Sequence, residues 1–406
     1  LWLLPDLVDV DRELCERSFS EYIRQAWHVI EPGTTFLSNW HIDCIAEHLE
    51  AVTYGDIKNL ILNLPPRNMK SLTASVLWPT WEWTKRPELS YLFSSYALEL
   101  SRQHSRNRRT LIKSDWYQRL WGDKYRILSD QDVITNYANN KGGQMFSRGT
   151  GGASTGMGGN RVIIDDPQNP KQANSEAERK TSLSDYDHNL VTRLNRPEHD
   201  SIVVIMQRLH EKDLTGHITS EENDFVHLVL PATAESKQTI TYPISGKIKT
   251  RMPGDVLWPD RQGADNLASL KRKMGSYAFS GQYQQTPQPA EGGIFKSHWW
   301  QYYKELPFPL DTIDEAVQSW DTAITNTAAY VVCQIWVRKG PNKYLIHNER
   351  KRMDFPETIA AFKRMAIEYP YAFTKLVENK ATGPAVVAMM RSEIAGIVPV
   401  DVKDSK

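Results

Sequence analysis

The chain has 406 residues, enough for two domains, and its 49 Lys and Arg residues balance its 49 Asp and Glu residues. A formal net charge of zero excludes a protein that binds nucleic acid through an overall basic composition. The three Cys residues are far apart and odd in number, which excludes a disulfide framework and predicts a reducing compartment, the cytoplasm. No apolar run approaches the ~18 residues of a membrane span, and the N-terminus lacks a signal-peptide pattern, so we expect no membrane association.

Residues 1–50 have the periodicity of helices, with an apolar stripe at Ile42, Ile45 and Leu49. Just before this stripe stands an aromatic and polar cluster that ends in Trp40 and His41. Upstream of a phosphate-binding loop, such a cluster can hold an adenine base by stacking and by hydrogen bonds to the base edge. A helix cap with a buried Trp accounts for the same residues at least as well.

The next segment has the layout of a phosphate-binding loop. An apolar run at 60–64 predicts a buried strand, and the polar turn that follows ends in Lys70 and Ser71, before a helix start. In such loops, backbone N–H groups and the Lys hold phosphates, and the Ser hydroxyl binds Mg²⁺. Leu64 and Met69 stand where the motif has glycines, so a Pro-Pro turn with an exposed Lys is the alternative. The predicted nucleotide-binding residues here are Pro66, Arg67, Asn68, Met69, Lys70, Ser71 and Leu72.

Two further strand ends carry polar residues that suit a nucleotide hydrolase. A β-branched run at 162–164 ends in Asp165 and Asp166, and we expect Asp165 to bind Mg²⁺ and Asp166 to act as general base. The alternative is a strand followed by an ordinary Asp-Pro turn. The apolar run at 202–206 is followed by Gln207, which is the candidate sensor of the γ-phosphate, and by Arg208, a second candidate; polar residues that only close a core strand are the alternative.

A different pattern follows a polar, Pro- and Gly-rich stretch at 284–293 that we predict to be a linker. Three strands, a helix and a fourth strand are typical of the start of a ribonuclease-H-like fold. Asp321 and Glu378 each end a predicted strand, and carboxylates placed in this way hold two Mg²⁺ or Mn²⁺ ions about 4 Å apart for cleavage of a phosphodiester. Two unrelated surface acids are the alternative.

Taken together, five segments in this order resemble the large terminase subunit of tailed bacteriophages, the motor and nuclease that package DNA. The similarity runs over nearly the whole chain. The segments are Leu64–Ser71, Val162–Pro167, Gln282–Pro289, Ser319–Ala323 and Val377–Gly383.

This resemblance implies an N-terminal ATPase of the additional-strand type and a C-terminal metal nuclease. The expected fold class is α/β: a P-loop ATPase domain with a parallel-core sheet at 1–285, then a partial ribonuclease-H-like domain at 294–406. Within the first domain we expect a helical part at 1–50 and a linker subdomain at about 225–285. Arg67 corresponds to the loop arginine that is thought to act as an arginine finger in the family.

The resemblance also implies cofactors and partners. ATP with Mg²⁺ would drive translocation of double-stranded DNA into a procapsid, and the nuclease would cut concatemers. The expected partners are DNA, the portal protein, the small terminase subunit and further copies of the chain in a ring, in the cytoplasm of an infected host. A helicase-like or repair ATPase fused to a nuclease and a non-hydrolysing scaffold are the alternative functions.

Three departures from the family pattern bear on these expectations. Met69 stands where the family has Gly, and an α-like backbone there would tolerate Met. Asp166 stands where many members have Glu. The family's third nuclease acid lies downstream of Glu378, but Asp401 and Asp404 are too close to the fifth strand of such a fold to be that acid. We therefore expect a nuclease domain that is truncated and incomplete.

Overall fold

The computed structural model describes residues 6–152, 156–173, 175–222, 224–288, 301–322, 330–379 and 382–401. The chain divides into two compact units, one up to residue 299 and one from residue 300. The predicted linker falls partly on residues 289–300, which lie outside the described residues. None of the described helices combines the length and the apolar character that spanning a bilayer requires.

The first unit is a mixed α/β structure. Its helices are α1 (Leu7–Arg17), α2 (Phe19–Ile30), α3 (Trp40–Tyr54), α4 (Trp78–Lys85), α5 (Leu98–Lys113), α6 (Asp115–Trp121), α7 (Glu176–Asp185), α8 (Leu214–Glu221), α9 (Ala264–Met274) and α10 (Ser276–Gln282). Its strands are β1 (Asn59–Asn63), β2 (Tyr91–Ser95), β3 (Ile127–Val133), β4 (Asn136–Asn139), β5 (Gln144–Gly149), β6 (Arg161–Asp165), β7 (Ser201–Met206), β8 (Phe225–Val229), β9 (Gln238–Thr241) and β10 (Ile248–Arg251).

The large sheet of this unit has the order β3-β4-β5-β2-β6-β7-β1-β8. All neighbours from β5 to β8 in this order are parallel, whereas β3 and β4 join as antiparallel strands at one side. Strand β7 therefore lies between β1, which leads into the Lys-Ser loop, and β6, which ends in the acids. This inserted strand confirms the predicted parallel-core fold of the additional-strand type, and it brings the carboxyl ends of β1, β7 and β6 to one edge.

The central strands are buried along their whole length because the sheet has an apolar core on each face. All residues of β1, β2, β6 and β7 are buried. Successive residues of a strand point to opposite faces, so Leu60 and Leu62 belong to one core cluster and Ile61 to the other. Such near-continuous apolar strands are what a parallel sheet with both faces covered requires.

Several predicted boundaries are wrong in detail. Trp40 and His41 form the first turn of α3 and do not precede it, because Asn39 is the residue before the helix. Gln284 and Gln285 were predicted to open a linker, yet both side chains are buried in the first unit.

The second unit has its own core and a five-stranded sheet. Its elements are β11 (Glu315–Asp321), β12 (Val331–Lys339), β13 (Asn342–Lys351), α11 (Phe355–Glu368), β14 (Thr374–Glu378), α12 (Gly383–Met390) and β15 (Ile397–Val400). The sheet order is β13-β12-β11-β14-β15, with β11, β14 and β15 parallel and the β11-β12-β13 meander antiparallel. The predicted succession of three strands, a helix and a strand is present, and Trp320 and Phe362 pack in the core between sheet and helix.

Candidate nucleotide site and acidic strand ends

The loop after β1 has an unusual backbone. Arg67 and Met69 adopt the left-handed conformation, with φ of 66° and 63°. The side-chain amide of Asn68 donates to the carbonyl of Pro66 at 3.1 Å and helps to hold the turn. The α-like backbone that would accommodate Met69 without strain is not the one found: this position has the conformation that favours glycine, and Met tolerates it at a cost of roughly 1–2 kcal/mol.

A helix begins directly after this loop. Lys70 and Ser71 are its first residues, and Leu72–Leu77 continues it as a π-helical turn. Among the described residues, no acceptor is found for the backbone N–H groups of Met69, Lys70 and Ser71. Unpaired N–H groups at a helix N-terminus, together with the helix dipole, attract anions such as phosphate.

The Lys-Ser pair meets the two acids at the end of β6. The Lys70 Nζ atom lies 2.6 Å from an Asp166 carboxylate oxygen, and the Ser71 hydroxyl donates to Asp165 at 2.8 Å. Lys70 and Asp165 are buried, and the Asp166 side chain is 19% exposed. The contacts arise because β1 and β6 are separated by only one strand and end at the same edge of the sheet.

Two further residues contact Asp165 that sequence reasoning missed. Ser75 donates its hydroxyl to Asp165 at 2.6 Å, and the Nδ1 atom of His104 lies 3.5 Å from the same carboxylate. Ser75 follows Ser71 by four residues on the same helix, a spacing that could have identified it. His104 comes from α5, and no spacing relates it to the loop. Burial lowers the pKa of His104, so its imidazole is neutral near pH 7.

Asp166 is held from a second side by the end of β7. The backbone N–H of Gln207 donates to Asp166 at 3.2 Å. Burial raises the pKa of Asp166 and nearby Asp165 adds to this effect, while Lys70 opposes it. The side-chain carbonyl oxygen of Gln207 is buried and has no hydrogen-bond partner among the described residues. An unpaired buried acceptor on a residue whose backbone N–H binds the Asp166 carboxylate suits the binding of a water or hydroxyl group.

Arg67 and Arg208 differ in their exposure and in their contacts. Arg67 is exposed, and no ion pair or hydrogen bond of its side chain is found among the described residues. Arg208 instead contacts both carboxylate oxygens of Asp213 at 2.9 Å through its Nε atom, and this carboxylate caps α8. Arg67 is thus exposed on the loop, whereas Arg208 supports the structure through Asp213.

The predicted adenine contacts are less accessible. His41 is fully buried, and its ring packs 4.9 Å from that of Trp258. It presents no open face to a base, so the alternative of a packed helix start describes it better. Trp40 is partly exposed, and the cations of Lys249 and Arg251 lie over its ring at 5.5 and 5.8 Å.

The first unit's residues fit a nucleotide with Mg²⁺. The free N–H groups and Lys70 provide donors for phosphate oxygens, and the Ser71 and Asp165 oxygens are ligands of the kind that Mg²⁺ prefers. The buried side-chain oxygen of Gln207 has no hydrogen-bond partner among the described residues, and a donor group of a ligand would satisfy it.

The second unit brings its predicted acids to one edge as well. Trp320 on β11 pairs with Val377 on the parallel strand β14, so the next residues, Asp321 and Glu378, end neighbouring strands in register and point to the same side of the sheet. Asp401 follows β15 at this edge and accepts a hydrogen bond from the Asn379 side chain at 2.7 Å. Asp404 lies outside the described residues.

No group of three His, Cys, Asp or Glu side chains in a metal-binding arrangement occurs within the described part of the chain. The second unit therefore offers a pair of carboxylates, Asp321 and Glu378, at adjacent strand ends. Two carboxylates can ligate a divalent cation only with water or substrate oxygens completing its shell.

No family model and no curated protein matches this sequence. Among solved structures, the chain is similar to the large terminase of bacteriophage HK97, with 10% identity and a TM-score of 0.41 over 95% of this chain and 85% of that chain. It is similar to the large terminase of the thermophilic bacteriophage D6E in complex with ADP, with 10% identity and a TM-score of 0.36 over 88% of this chain and 82% of that chain.

A mutant of the ATPase domain of the Thermus phage P74-26 large terminase is similar at 11% identity, with a TM-score of 0.38 over 59% of this chain and 92% of that chain. Likeness at this level concerns the fold alone. What bears on function in this chain is the set of contacts among Lys70, Ser71, Asp165, Asp166 and Gln207, together with the paired acids of the second unit.

Proposed function

We propose that this protein is a viral terminase large subunit: an ATPase that moves double-stranded DNA into a procapsid and a metal-dependent endonuclease that cuts the concatemer. The observation that carries the proposal is the convergence of Lys70 and Ser71 with Asp165 and Asp166 at the edge of a sheet whose strand order is that of an additional-strand ATPase. The paired acids of the second unit, on the same chain, support the nuclease half.

The geometry supports definite roles in ATP hydrolysis. Lys70 and the free loop N–H groups would bind the β- and γ-phosphates, and Ser71 and Asp165 would hold Mg²⁺, which would supply charge to the phosphate oxygens. Phosphates compete with Asp166 for Lys70, and the freed carboxylate, held by the Gln207 N–H, accepts a proton from the attacking water. Gln207 positions that water through its unpaired oxygen, and exposed Arg67 supplies charge to the transition state.

The nuclease half rests on Asp321 and Glu378. The strand order of the second unit is that of a ribonuclease-H-like sheet, in which acids at the ends of adjacent parallel strands hold one or two Mg²⁺ or Mn²⁺ ions. Such ions activate water and stabilise the leaving oxygen of a phosphodiester. Asp321 and Glu378 would supply carboxylate ligands to such ions.

The partners follow from the packaging role. We propose that the chain acts as a ring of copies on the portal protein of a procapsid, with the small terminase subunit, in the host cytoplasm. DNA contacts would be made mainly to phosphates, so DNA affinity should fall steeply with salt.

ATP hydrolysis by the wild type and by Lys70→Ala tests the proposal. The wild type should hydrolyse ATP faster when DNA is present, and Lys70→Ala should lower kcat by at least ~100-fold, the effect of removing one charged group that stabilises the transition state. Lys58→Ala is the matched control, because Lys58 is exposed at the opposite end of β1. Absence of ATP hydrolysis in the wild type would leave a scaffold as the better description.

A second measurement separates the packaging motor from a helicase-like ATPase. Portal-bearing procapsids should stimulate hydrolysis, and duplex DNA should remain paired during turnover. Strand separation with a preference for single strands would instead favour the helicase-like function.

A further inference from the structure

The segment Gln282–Pro289 is one of the five motif segments, and the structure describes its residues 282–288, yet the proposed chemistry gives it no role. It follows α10 and turns back toward the carboxyl edge of the large sheet. Its two central glutamines are buried, with 8% exposure for Gln284 and 4% for Gln285. Long polar side chains are rarely buried without a specific partner, so each contact of this pair bears on what the segment does.

Gln285 contacts the residue next to the catalytic sensor. Its side-chain oxygen accepts the backbone N–H of Arg208 at 3.0 Å, and its side-chain nitrogen donates to the carbonyl of Gln282 at 2.6 Å. The backbone of Gln285 has φ of 58°, which is uncommon for a residue with a side chain. A strained buried backbone persists only where the surrounding contacts demand it, and such positions cluster at functional sites.

Two successive backbone N–H groups at the end of β7 therefore have different acceptors. The first faces the catalytic carboxylate, and the second faces the glutamine segment. The N–H of Gln207 donates to Asp166, and the N–H of Arg208 donates to Gln285. The two N–H groups belong to adjacent planar peptide units that meet at the Cα atom of Gln207. The hydrogen bond to Gln285 therefore limits how far the end of β7 can turn when Asp166 shifts, as it does if Lys70 leaves it for phosphate.

Gln284 makes contacts of the same kind elsewhere. Its amide accepts the N–H of Thr233 at 3.1 Å and donates to the carbonyl of Thr233 at 3.0 Å and to Glu235 at 3.0 Å. It therefore fixes the segment to the chain that follows β8 and does not contact β7. The two neighbouring glutamines therefore have different partners. Gln284 attaches the segment to the chain after β8, and Gln285 attaches it to the residue that follows β7 and the sensor Gln207.

We infer that Gln285 is a positioning residue for ATP hydrolysis: by holding the Arg208 N–H it keeps the adjacent Gln207 N–H aimed at Asp166, and it passes the nucleotide state of the site to the segment 282–288. This inference rests on the proposed ATPase function. The partner of the glutamine motif is then the end of β7, which belongs to the first unit.

Gln285→Gly tests the inference, because glycine adopts φ of 58° without strain and removes only the side chain. Loss of this hydrogen bond should lower kcat for ATP roughly tenfold and leave KM within about twofold, since the bond orients the base without touching nucleotide. Gln285→Glu keeps an acceptor for the Arg208 N–H but loses the donor to the Gln282 carbonyl, so it should recover only part of kcat. Binding of a non-hydrolysable ATP analogue should change amide exchange in 282–288 in the wild type and not in Gln285→Gly.

Gln284→Ala is the control: it removes buried hydrogen bonds next in sequence and should lower Tm while leaving kcat within about twofold. Equal losses of kcat in Gln284→Ala and Gln285→Gly, or wild-type kcat in Gln285→Gly, would overturn the inference. A wild type that does not hydrolyse ATP would contradict the proposed function itself, which distinguishes the two failures.

Discussion

Met69 occupies the loop position at which a phosphate-binding motif has glycine, and it does so in the left-handed backbone conformation. Its side chain is buried against the large core cluster, so packing offsets the backbone cost. Met69→Ala and Met69→Gly both remove this packing, but only the Ala variant keeps the strain.

We therefore expect Met69→Gly to be more stable than Met69→Ala by about 1 kcal/mol, the reverse of the order in a helix interior. Urea unfolding of the two variants measures the difference. An Ala variant as stable as the Gly variant would contradict a left-handed backbone at this position.

His41 makes the stability of the first unit depend on pH. Burial lowers its pKa to about 3 and keeps the imidazole neutral in the folded protein. The unfolded chain binds a proton below about pH 6.5, so this contribution to stability is complete above pH 6.5 and is lost as pH falls toward 3. The free energy of unfolding should be about 2 kcal/mol lower at pH 5 than at pH 7 on account of His41.

Urea unfolding at the two pH values tests this. His41→Gln should reduce the difference between pH 7 and pH 5 by about 2 kcal/mol, because the glutamine amide does not titrate. His199→Gln, at an exposed position, should leave the difference unchanged. The idea is wrong if His41→Gln retains the full dependence on pH.

The residues that sequence predicted best are those whose position is fixed by a strand end. Lys70, Ser71, Asp165 and Asp166 converge because parallel strands carry their following residues to one edge of the sheet. His104 could not be predicted, because its approach to Asp165 depends on how α5 packs across the sheet. The burial of His41 could not be predicted either. It depends on packing against Trp258, more than two hundred residues away in the sequence, and hydrophobic periodicity carries no information about such a contact.

At the scale of elements, the helix after the loop does more than present Lys70 and Ser71. Its π-helical turn, Leu72–Leu77, contains Ser75, whose hydroxyl joins that of Ser71 on Asp165. Two hydroxyl groups on one carboxylate fix the orientation of both its oxygens. Partners that orient a metal ligand, the role proposed for Asp165, typically contribute a factor of about 10–100 to metal affinity.

Ser75→Ala should therefore raise the Mg²⁺ concentration for half-maximal ATP hydrolysis by about tenfold, with a smaller effect at saturating Mg²⁺. Ser101→Ala is a suitable control, because Ser101 is a buried serine of α5 whose hydroxyl has no partner among the described residues. A Mg²⁺ dependence of Ser75→Ala that matches Ser101→Ala would show that the serine does not orient Asp165.

At the scale of the whole molecule, the strand order can be predicted for the part of the chain in which each strand is followed by a crossover to another parallel strand. It is harder to predict for the remaining strands. The parallel core followed from apolar strands that end in polar residues. The antiparallel extension β3-β4-β5 escaped prediction because these strands are polar and partly exposed. The buried start of the expected linker escaped it too, because Gln284 and Gln285 find partners that composition cannot indicate.

The two proposed activities rest on residues of different units and should separate by mutation. Lys70→Ala should abolish ATP hydrolysis and keep Mn²⁺-dependent nicking of plasmid DNA, since Lys70 is paired with Asp166 of the first unit. Asp321→Asn should do the opposite, because it removes a negative charge from the edge at which β11 and β14 end while leaving the shape of the side chain.

Glu315→Gln is the matched control for the nicking assay. It changes a carboxylate at the other end of β11, where Glu315 contacts Arg338, and should nick DNA at the wild-type rate. Glu378→Gln should lose nicking as Asp321→Asn does, because both carboxylates are needed to hold the cation. Nicking that survives in both of these variants would remove the nuclease from the proposal, and the ATPase argument, which rests on Lys70 and the acids of β6, would stand unchanged.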